Sequence, residues 1–168
     1  LKDVRFAYHD KEVLHGVNLH IAPGTVNALV GPSGSGKSTI ARLIASLWDV
    51  KDGSIELGGV DIRTLPLAEC TKRIAYVSQD NYLFDESIRE NIRMGRPDAT
   101  DAEVEQAAKM ASAHSFIIRL EHGYDTVLEG DGANLSQGQR QLINIARAAI
   151  SKAPILILDE ATSSVDTR

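Results

Sequence analysis

The sequence predicts an α/β fold with a parallel sheet, on three observations. Alternating apolar and polar residues at the start predict half-buried strands from Val4 to Tyr8 and from Val17 to Ile21. The apolar run Val26 to Val30 predicts a strand that enters a glycine-rich loop, followed by a helical pattern that starts at Ile40. The all-apolar run Ile155 to Leu158 predicts a strand buried on both faces, which is typical of parallel sheets.

The middle of the chain alternates short strands and helices. Strands are predicted at Ser54 to Leu57 and at Ile74 to Val77, separated by a helical turn that Thr64 could cap. Between residues 80 and 135 the pattern becomes helical, and it favours a helical insertion. Three capping patterns predict helix starts, and they are Ser87 with Glu90, Thr100 with Glu103, and Ser136 with Gln139.

Length and composition limit the class of protein. The 168 residues amount to about one domain, and 43% hydrophobic with 24% charged residues is ordinary for a globular protein. The net charge of -5 disfavours binding along a nucleic acid backbone. The single cysteine, Cys70, excludes an intrachain disulfide and predicts a structural thiol. Because the chain starts at Leu1 without a methionine or leader, we expect it to be a piece of a longer protein.

A phosphate-binding loop is predicted at Gly31 to Thr39, which reads GPSGSGKST. Gly31, four residues, then Gly36, Lys37 and Ser38 have the spacing of a loop whose backbone N–H groups surround a phosphate. The helix dipole that follows favours the same anion. Lys37 supplies a charge for the β and γ phosphates, and the Ser38 hydroxyl suits Mg²⁺.

Two carboxylates follow the last predicted strand. Asp159 and Glu160 stand at its carboxyl end, where open α/β sheets bind ligands. Asp159 is a candidate ligand for Mg²⁺, and Glu160 is a candidate to orient or deprotonate the water that attacks a γ phosphate. Alone, this segment is more often a solvated turn, and only its pairing with the phosphate loop favours the catalytic interpretation.

A second helix N-terminus suited to an anion is predicted at Asn134 to Gln141, which reads NLSQGQRQ. With this segment, the sequence resembles the nucleotide-binding domains of ATP-binding cassette (ABC) transporters, whose signature normally reads LSGGQ. The motifs occur in the family's order along essentially the whole chain. In that family, the signature of one subunit covers the ATP held by the phosphate loop of another. The resemblance therefore implies a head-to-tail dimer.

The resemblance implies a P-loop NTPase core with a parallel sheet, an N-terminal antiparallel β subdomain and an inserted α-helical subdomain, truncated at both ends. Residues 1–79 and 136–168 would form the core and β subdomain, and residues 80–135 the helical subdomain. ATP and Mg²⁺ are the implied cofactors. The implied partners are a second nucleotide-binding domain and the transmembrane domains of a transporter, at the cytoplasmic face of the cell membrane.

The family's functional residues carry over to matching positions of this sequence. Tyr8 matches the aromatic residue that stacks on adenine, Gln79 the glutamine that contacts Mg²⁺ and couples to the membrane domains, and Ser163 to Asp166 the loop that crosses the dimer. The implied catalytic residues are Glu160, Lys37 and Gln79, and the implied metal ligands are Ser38, Gln79 and Asp159. The implied nucleotide contacts are Tyr8, Gly31, Ser33, Gly34, Ser35, Gly36, Lys37, Ser38, Thr39, Ser136, Gln137, Gly138, Gln139 and Asp166.

The segments from Leu83 to Ile92 and from Tyr124 to Gly132 resemble those of exporters, so we expect a cassette that powers export. Gln137 stands where the family has glycine, and no histidine follows Glu160 to serve as the family's switch histidine. Leu128, Glu129 and Gly130 replace the usual valine, glycine and glutamate. Two alternatives remain, a soluble cassette ATPase acting on DNA or ribosomes, and a regulatory ATP-binding subunit with little hydrolysis.

Overall fold

The computed structural model describes residues 1–78 and 80–159. The chain divides into two compact units, Leu1–Thr71 and Lys72–Arg168, each described here by itself. The predicted subdomain bounds at residues 80 and 135 stay a prediction.

The first unit contains an antiparallel sheet in the order β2-β1-β3. Its strands are β1 Lys2–Tyr8, β2 Lys11–Val17 and β3 Asp52–Ser54, and a small hairpin of β4 Glu56–Leu57 and β5 Val60–Asp61 follows. The antiparallel β subdomain is therefore confirmed. Helix α1 is Lys37–Ile44, a 3₁₀ helix spans Ile62–Thr64, and α2 Leu67–Arg73 crosses from the first unit into the second. The sheet, α1 and the segments around the hairpin share one core, made of Val4, Phe6, Leu14, Ile40, Leu43, Val50, Ile55 and Ile62.

The second unit combines a parallel strand pair with helices. Strands β6 Ile74–Val77 and β7 Ile155–Leu158 pair in parallel, which confirms both predicted strands. Helices α3 Ile88–Arg93, α4 Asp101–Met110, α5 His114–Ile117 and α6 Gln137–Ile150 accompany them, with a 3₁₀ helix at Gly123–Asp125. The buried core includes Leu83, Ile88, Ile92, Val104, Ile117, Leu128, Ile143, Ala146 and Ile150.

The three capping patterns start helices as predicted. Ser87 caps α3 by accepting the Glu90 N–H at 3.1 Å. Thr100 with Glu103 and Ser136 with Gln139 form reciprocal capping boxes at α4 and α6. These bonds satisfy N–H groups that otherwise lack a partner in the first helical turn.

Three predictions in the first unit were wrong. The strand expected at Val17 to Ile21 lies earlier, at β2, because the chain turns at His9 with a φ of 54° and Lys11 pairs at once with Tyr8. Residues 26–30 form no strand, and Val26 and Val30 are exposed. An apolar pattern needs a ladder partner to become a strand, and none of the strands in the described ranges pairs with this run.

Thr64 does not cap a helix. It ends the 3₁₀ helix and donates its hydroxyl to the Asp61 carbonyl, while Asp61 caps that helix.

The predicted burial of β7 on both faces is also wrong. Leu156 is 48% exposed and Leu158 is 51% exposed, whereas Ile155 and Ile157 are half-buried. Within the described part of the chain, β6 is the ladder partner of β7.

Candidate nucleotide-binding site

The phosphate loop ends at the N-terminus of α1. Gly36 caps that helix in the left-handed region, with φ 91° and ψ 7°, a conformation that favours glycine. A Cβ atom at Gly36 would lie 2.7 Å from Leu14 Cδ2, so a larger residue would also crowd the Leu14 side chain of β2. The first turn of α1 contains no acidic residue. The helix therefore presents its positive dipole end and its N–H groups to an anion.

The Lys37 side chain lies against the loop itself. Its Nζ donates to the carbonyl oxygens of Gly31 and Pro32 at 2.9 Å each, and it lies 3.5 Å from Ser35 Oγ. The ammonium group is therefore held at the loop that the sequence predicts for phosphate binding. Ser33, Gly34 and Ser35 are exposed, which leaves that part of the loop accessible to a ligand.

Tyr8 meets the phosphate-loop helix within the first unit. Its hydroxyl lies 3.1 Å from Oγ1 of Thr39, which is buried. Its ring packs edge to face against Phe6 and Trp48, with centroid distances of 4.9 Å and 5.5 Å. The structure thus brings Tyr8 and the loop together. Trp48 was missed, and its only sequence signal is that it is the chain's sole tryptophan.

Asp159 follows β7 in the second unit and is 7% exposed. Its carboxylate accepts the Tyr76 hydroxyl at 2.6 Å, and its N–H donates to the Val77 carbonyl at 2.9 Å. A buried carboxylate needs such partners to offset the loss of water. Tyr76 was missed, although the parallel register that places it beside Ile157 follows from pairing the two predicted strands.

The predicted magnesium ligands have suitable chemistry. Ser38 lies in the first turn of α1 and contributes a hydroxyl, and Asp159 contributes a carboxylate. Mg²⁺ prefers oxygen ligands and keeps several waters, so few protein groups suffice. The two residues belong to separate units.

The predicted signature forms the start of α6. Ser136 accepts the Gln139 N–H at 3.2 Å, and Gln139 Oε1 accepts the Ser136 N–H at 3.0 Å. Ser136, Gln137 and Gly138 are exposed, and a Cβ atom at Gly138 would meet no heavy atom within 4 Å. No acidic residue occupies the first turn. This end of α6 is therefore open to an anion, and Gln137 does not disturb its capping.

Comparison with known proteins identifies the class. A family model described as ABC transporter matches residues 14–163. The chain belongs to the ABC transporter family. It is 50% identical over 167 residues to the uncharacterized ABC transporter ATP-binding protein YfiC of Bacillus subtilis (strain 168), which is 99% of this chain and 28% of that protein. It is 47% identical, with the same coverages, to an ATP-dependent lipid A-core flippase of Syntrophus aciditrophicus (strain SB).

A solved structure supports the same assignment. The ABC transporter chain matches a bacterial Atm1-family ABC exporter with ATP bound, with a TM-score of 0.92 and 44% identity over 99% of this chain and 29% of that one. The predicted P-loop fold class is therefore confirmed, and the chain is an ATP-binding domain of an ATPase family. It spans less than a third of the length of these relatives. Of the helices in the described ranges, none is long and apolar enough to cross a membrane.

An open cleft of about 270 Å³ lies in the second unit of this ABC transporter domain, beside the start of α6. Asp131 borders it and accepts the Leu83 N–H through Oδ1 at 2.6 Å. Asp131 itself adopts a φ of 61°, between Gly130 and Gly132 that are also left-handed. The sequence analysis did not predict this cleft. The Gly-Asp-Gly sequence at residues 130–132 could have indicated the turn that places Asp131 at its border.

Three predicted site residues, Gln79, Glu160 and Asp166, lie outside the described residues, and their roles stay predictions.

Proposed function

We propose that this chain is the ATP-hydrolysing domain that powers export of a substrate across a membrane. The observation that carries the proposal is the phosphate loop, where Lys37 lies on the loop carbonyls at the start of a helix whose first turn has no acidic residue. The family match and the ATP-bound exporter with the same fold support it.

The chemistry assigns one role to each group. The loop N–H groups and the Lys37 ammonium bind the β and γ phosphates, and Tyr8 stacks on adenine. Mg²⁺, held by Ser38, Asp159 and Gln79, supplies further neutralisation of phosphate charge when bound. Glu160 orients the attacking water and accepts its proton as the oxygen bonds to the γ phosphorus and ADP leaves.

A second nucleotide-binding domain completes the site in this proposal. The exposed start of α6, Ser136 to Gln139, contributes N–H groups to the γ phosphate of ATP held by the partner's loop, and the Asp166 segment crosses between them. Each chain then contributes to two shared sites, in a homodimer or a heterodimer. Asp159 and Glu160 act on the chain's own nucleotide.

Transmembrane domains are the second proposed partner. Tyr82 and Phe84 are 58% and 42% exposed and pack edge to face with a centroid distance of 4.9 Å. Two exposed aromatic rings form an apolar surface of the kind found at protein interfaces. We place these contacts at the cytoplasmic face of the membrane, which is the location that the resemblance to exporters implies.

Substitution of Glu160 tests hydrolysis in the full-length protein. Glu160→Gln should lower the rate of phosphate release by roughly 10²- to 10⁴-fold while ATP remains bound, because the general base is lost. Phosphate release and ATP retained after gel filtration are the measurements. Glu121→Gln, an exposed carboxylate outside the site, should leave the rate within about twofold.

Unchanged turnover in a folded Glu160→Gln protein would refute the catalytic role. Bound ATP without phosphate release in the wild type would favour the regulatory alternative. Recovery of the full-length protein in the soluble rather than the membrane fraction would contradict export.

A further inference from the structure

Arg147, in the second half of α6, donates hydrogen bonds from all three nitrogens of its guanidinium group, most of them to another segment. Nε donates to the Asn91 carbonyl at 2.8 Å and Nη2 donates to Asn91 Oδ1 at 2.9 Å. Nη1 donates to the Tyr82 carbonyl at 3.2 Å and to Asn144 Oδ1 at 2.9 Å. The guanidinium carbon lies 5.6 Å from the centroid of the Phe84 ring. Three of these four hydrogen bonds leave α6 and end on the segment 82–91.

The described hydrogen-bond partners of Arg147 are all neutral. No carboxylate lies within ion-pair distance of it in the described part of the chain, and all its acceptors are neutral oxygens. Burial lowers the pKa of the Arg147 guanidinium. A partly buried cation costs free energy that a methionine of similar length would avoid. Packing alone therefore does not account for an arginine here.

Asn91 extends the connection to the loop before α3. It is fully buried, and its Nδ2 is within hydrogen-bond distance of the carbonyls of Phe84, Glu86 and Ser87, at 3.0 to 3.2 Å. Its Oδ1 accepts the Phe84 N–H at 2.9 Å as well as the bond from Arg147. The Asn91 side chain thus bonds the backbone of residues 84–87 and also accepts the hydrogen bond from Arg147 of α6.

Close backbone packing brings α3 and α6 together at the same point. A Cβ atom at Gly95 would lie 2.0 Å from the Arg147 carbonyl oxygen and 2.8 Å from Ile150 Cγ2. The backbone after α3 therefore contacts the backbone of α6 at Arg147, and the side chain of Arg147 reaches Asn91 from there.

We infer that Arg147 is a positioning residue that fastens the segment 82–91 to α6. The exposed Tyr82 and Phe84 rings and the anion-facing start of α6 at Ser136 then belong to one rigid body. The consequence rests on the proposed function. When the γ phosphate of ATP bound by a partner displaces α6, the surface at Tyr82 and Phe84 moves with it. Removal of the fastening should leave ATP binding intact and uncouple that surface.

Hydrogen exchange on the full-length protein without nucleotide tests the fastening. In Arg147→Met, amides of peptides covering 82–91 should exchange roughly tenfold faster or more, because bonds to a charged donor are lost. Peptides covering the phosphate loop, residues 31–39, should exchange as in the wild type. Arg147→Lys should fall between, since one ammonium cannot replace the planar guanidinium. Lys152→Met, which removes an exposed lysine paired with Glu103 rather than with 82–91, is the matched control and should leave exchange in 82–91 as in the wild type.

Unchanged protection of 82–91 in Arg147→Met would overturn the inference. So would an equal rise in exchange throughout residues 72–159, which indicates a merely structural role. If Arg147→Met does not fold, the comparison of Arg147→Lys with the wild type decides by the same two criteria.

The coupling is tested with MgATP as the probe, in the Glu160→Gln background. MgATP should protect peptides covering 136–142 and change exchange in 82–91, and Arg147→Met should keep the first effect and lose the second. Retention of both effects overturns the coupling. Absence of the first effect in the background protein overturns the proposed dimeric site instead, while the nucleotide-free comparison still decides the fastening.

Discussion

Glu103 shows how one residue can serve a helix cap and a charge cluster together. Its carboxylate accepts the Thr100 N–H at 3.0 Å and forms ion pairs with Arg96 at 2.5 Å and Lys152 at 3.4 Å. The Arg96 guanidinium, followed by the Thr100 N–H, lowers the pKa of Glu103 from 4.5 to about 2. The charged form is therefore the one that the folded chain favours.

The pH dependence of stability should report this residue. Because the folded pKa of Glu103 is depressed, its contribution is present above about pH 4.5 and is lost as the pH falls towards 2. Glu103→Gln should lower stability near neutral pH and flatten the loss between those pH values, as measured by urea unfolding midpoints. Glu121→Gln, which removes an exposed carboxylate without an ion pair in the described ranges, should keep the wild-type slope. An unchanged slope in Glu103→Gln would contradict the assignment.

Helix α6 is the element that links the candidate site to the rest of the second unit. Its capping box begins it at Ser136, its buried face contributes Ile143, Ala146 and Ile150 to the core, and Arg147 holds the segment 82–91. Because one helix carries the capping box, the buried face and Arg147, a change in its packing should affect both the Ser136 end and the segment 82–91. Gly95 lies against the α6 backbone at Arg147 and leaves no room there for a side chain.

Substitution at Gly95 should destabilise the packing of α6. The Cβ atom of Gly95→Ala would lie 2.0 Å from the Arg147 carbonyl, so the backbone must move, at a cost of about 1–3 kcal/mol or more. The free energy of unfolding in urea is the measurement. Gly138→Ala, in the first turn of the same helix and free of contacts within 4 Å, serves as the stability control, with a change within about 1 kcal/mol. Equal effects of the two substitutions would refute the packing argument.

At the scale of the whole molecule, each unit carries part of the predicted site. The phosphate loop and Tyr8 belong to the first unit, and Asp159 and Ser136 to the second. A ligand that binds only the folded chain shifts the folding equilibrium by mass action. ATP binding should therefore be visible as a change in global stability.

MgATP should raise the midpoint of thermal unfolding of the full-length protein. At about 100 times the Kd the stabilisation is about 2.7 kcal/mol. Lys37→Ala removes the ammonium that lies on the loop and should abolish most of the shift, whereas Lys152→Met should keep it. An equal shift in Lys37→Ala would place the ATP contact elsewhere.

Much of the fold around the candidate site could be predicted because its signals are local. The phosphate loop, the helix starts at Ser87, Thr100 and Ser136, and the strands β6 and β7 were all predicted from short stretches of sequence. The contacts that were not predicted also share a cause, which is that each joins residues far apart in the sequence. Trp48 beside Tyr8 depends on a residue far along the chain, and so does the hydrogen bond from Tyr76 to Asp159.

The family, the glycine-rich loop and the helix caps could be predicted from short stretches of sequence, because the motifs are local and a few neighbouring residues satisfy the hydrogen bonds of each cap. The absence of a strand at residues 26–30 depends on tertiary packing, since an apolar pattern specifies burial but not a ladder partner. The bonds of Arg147 to Asn91 and Tyr82 also depend on tertiary packing, because a partly buried guanidinium takes its acceptors from the backbone that folds beside it. Bonds between distant residues depend on how the elements pack, which short-range patterns do not encode.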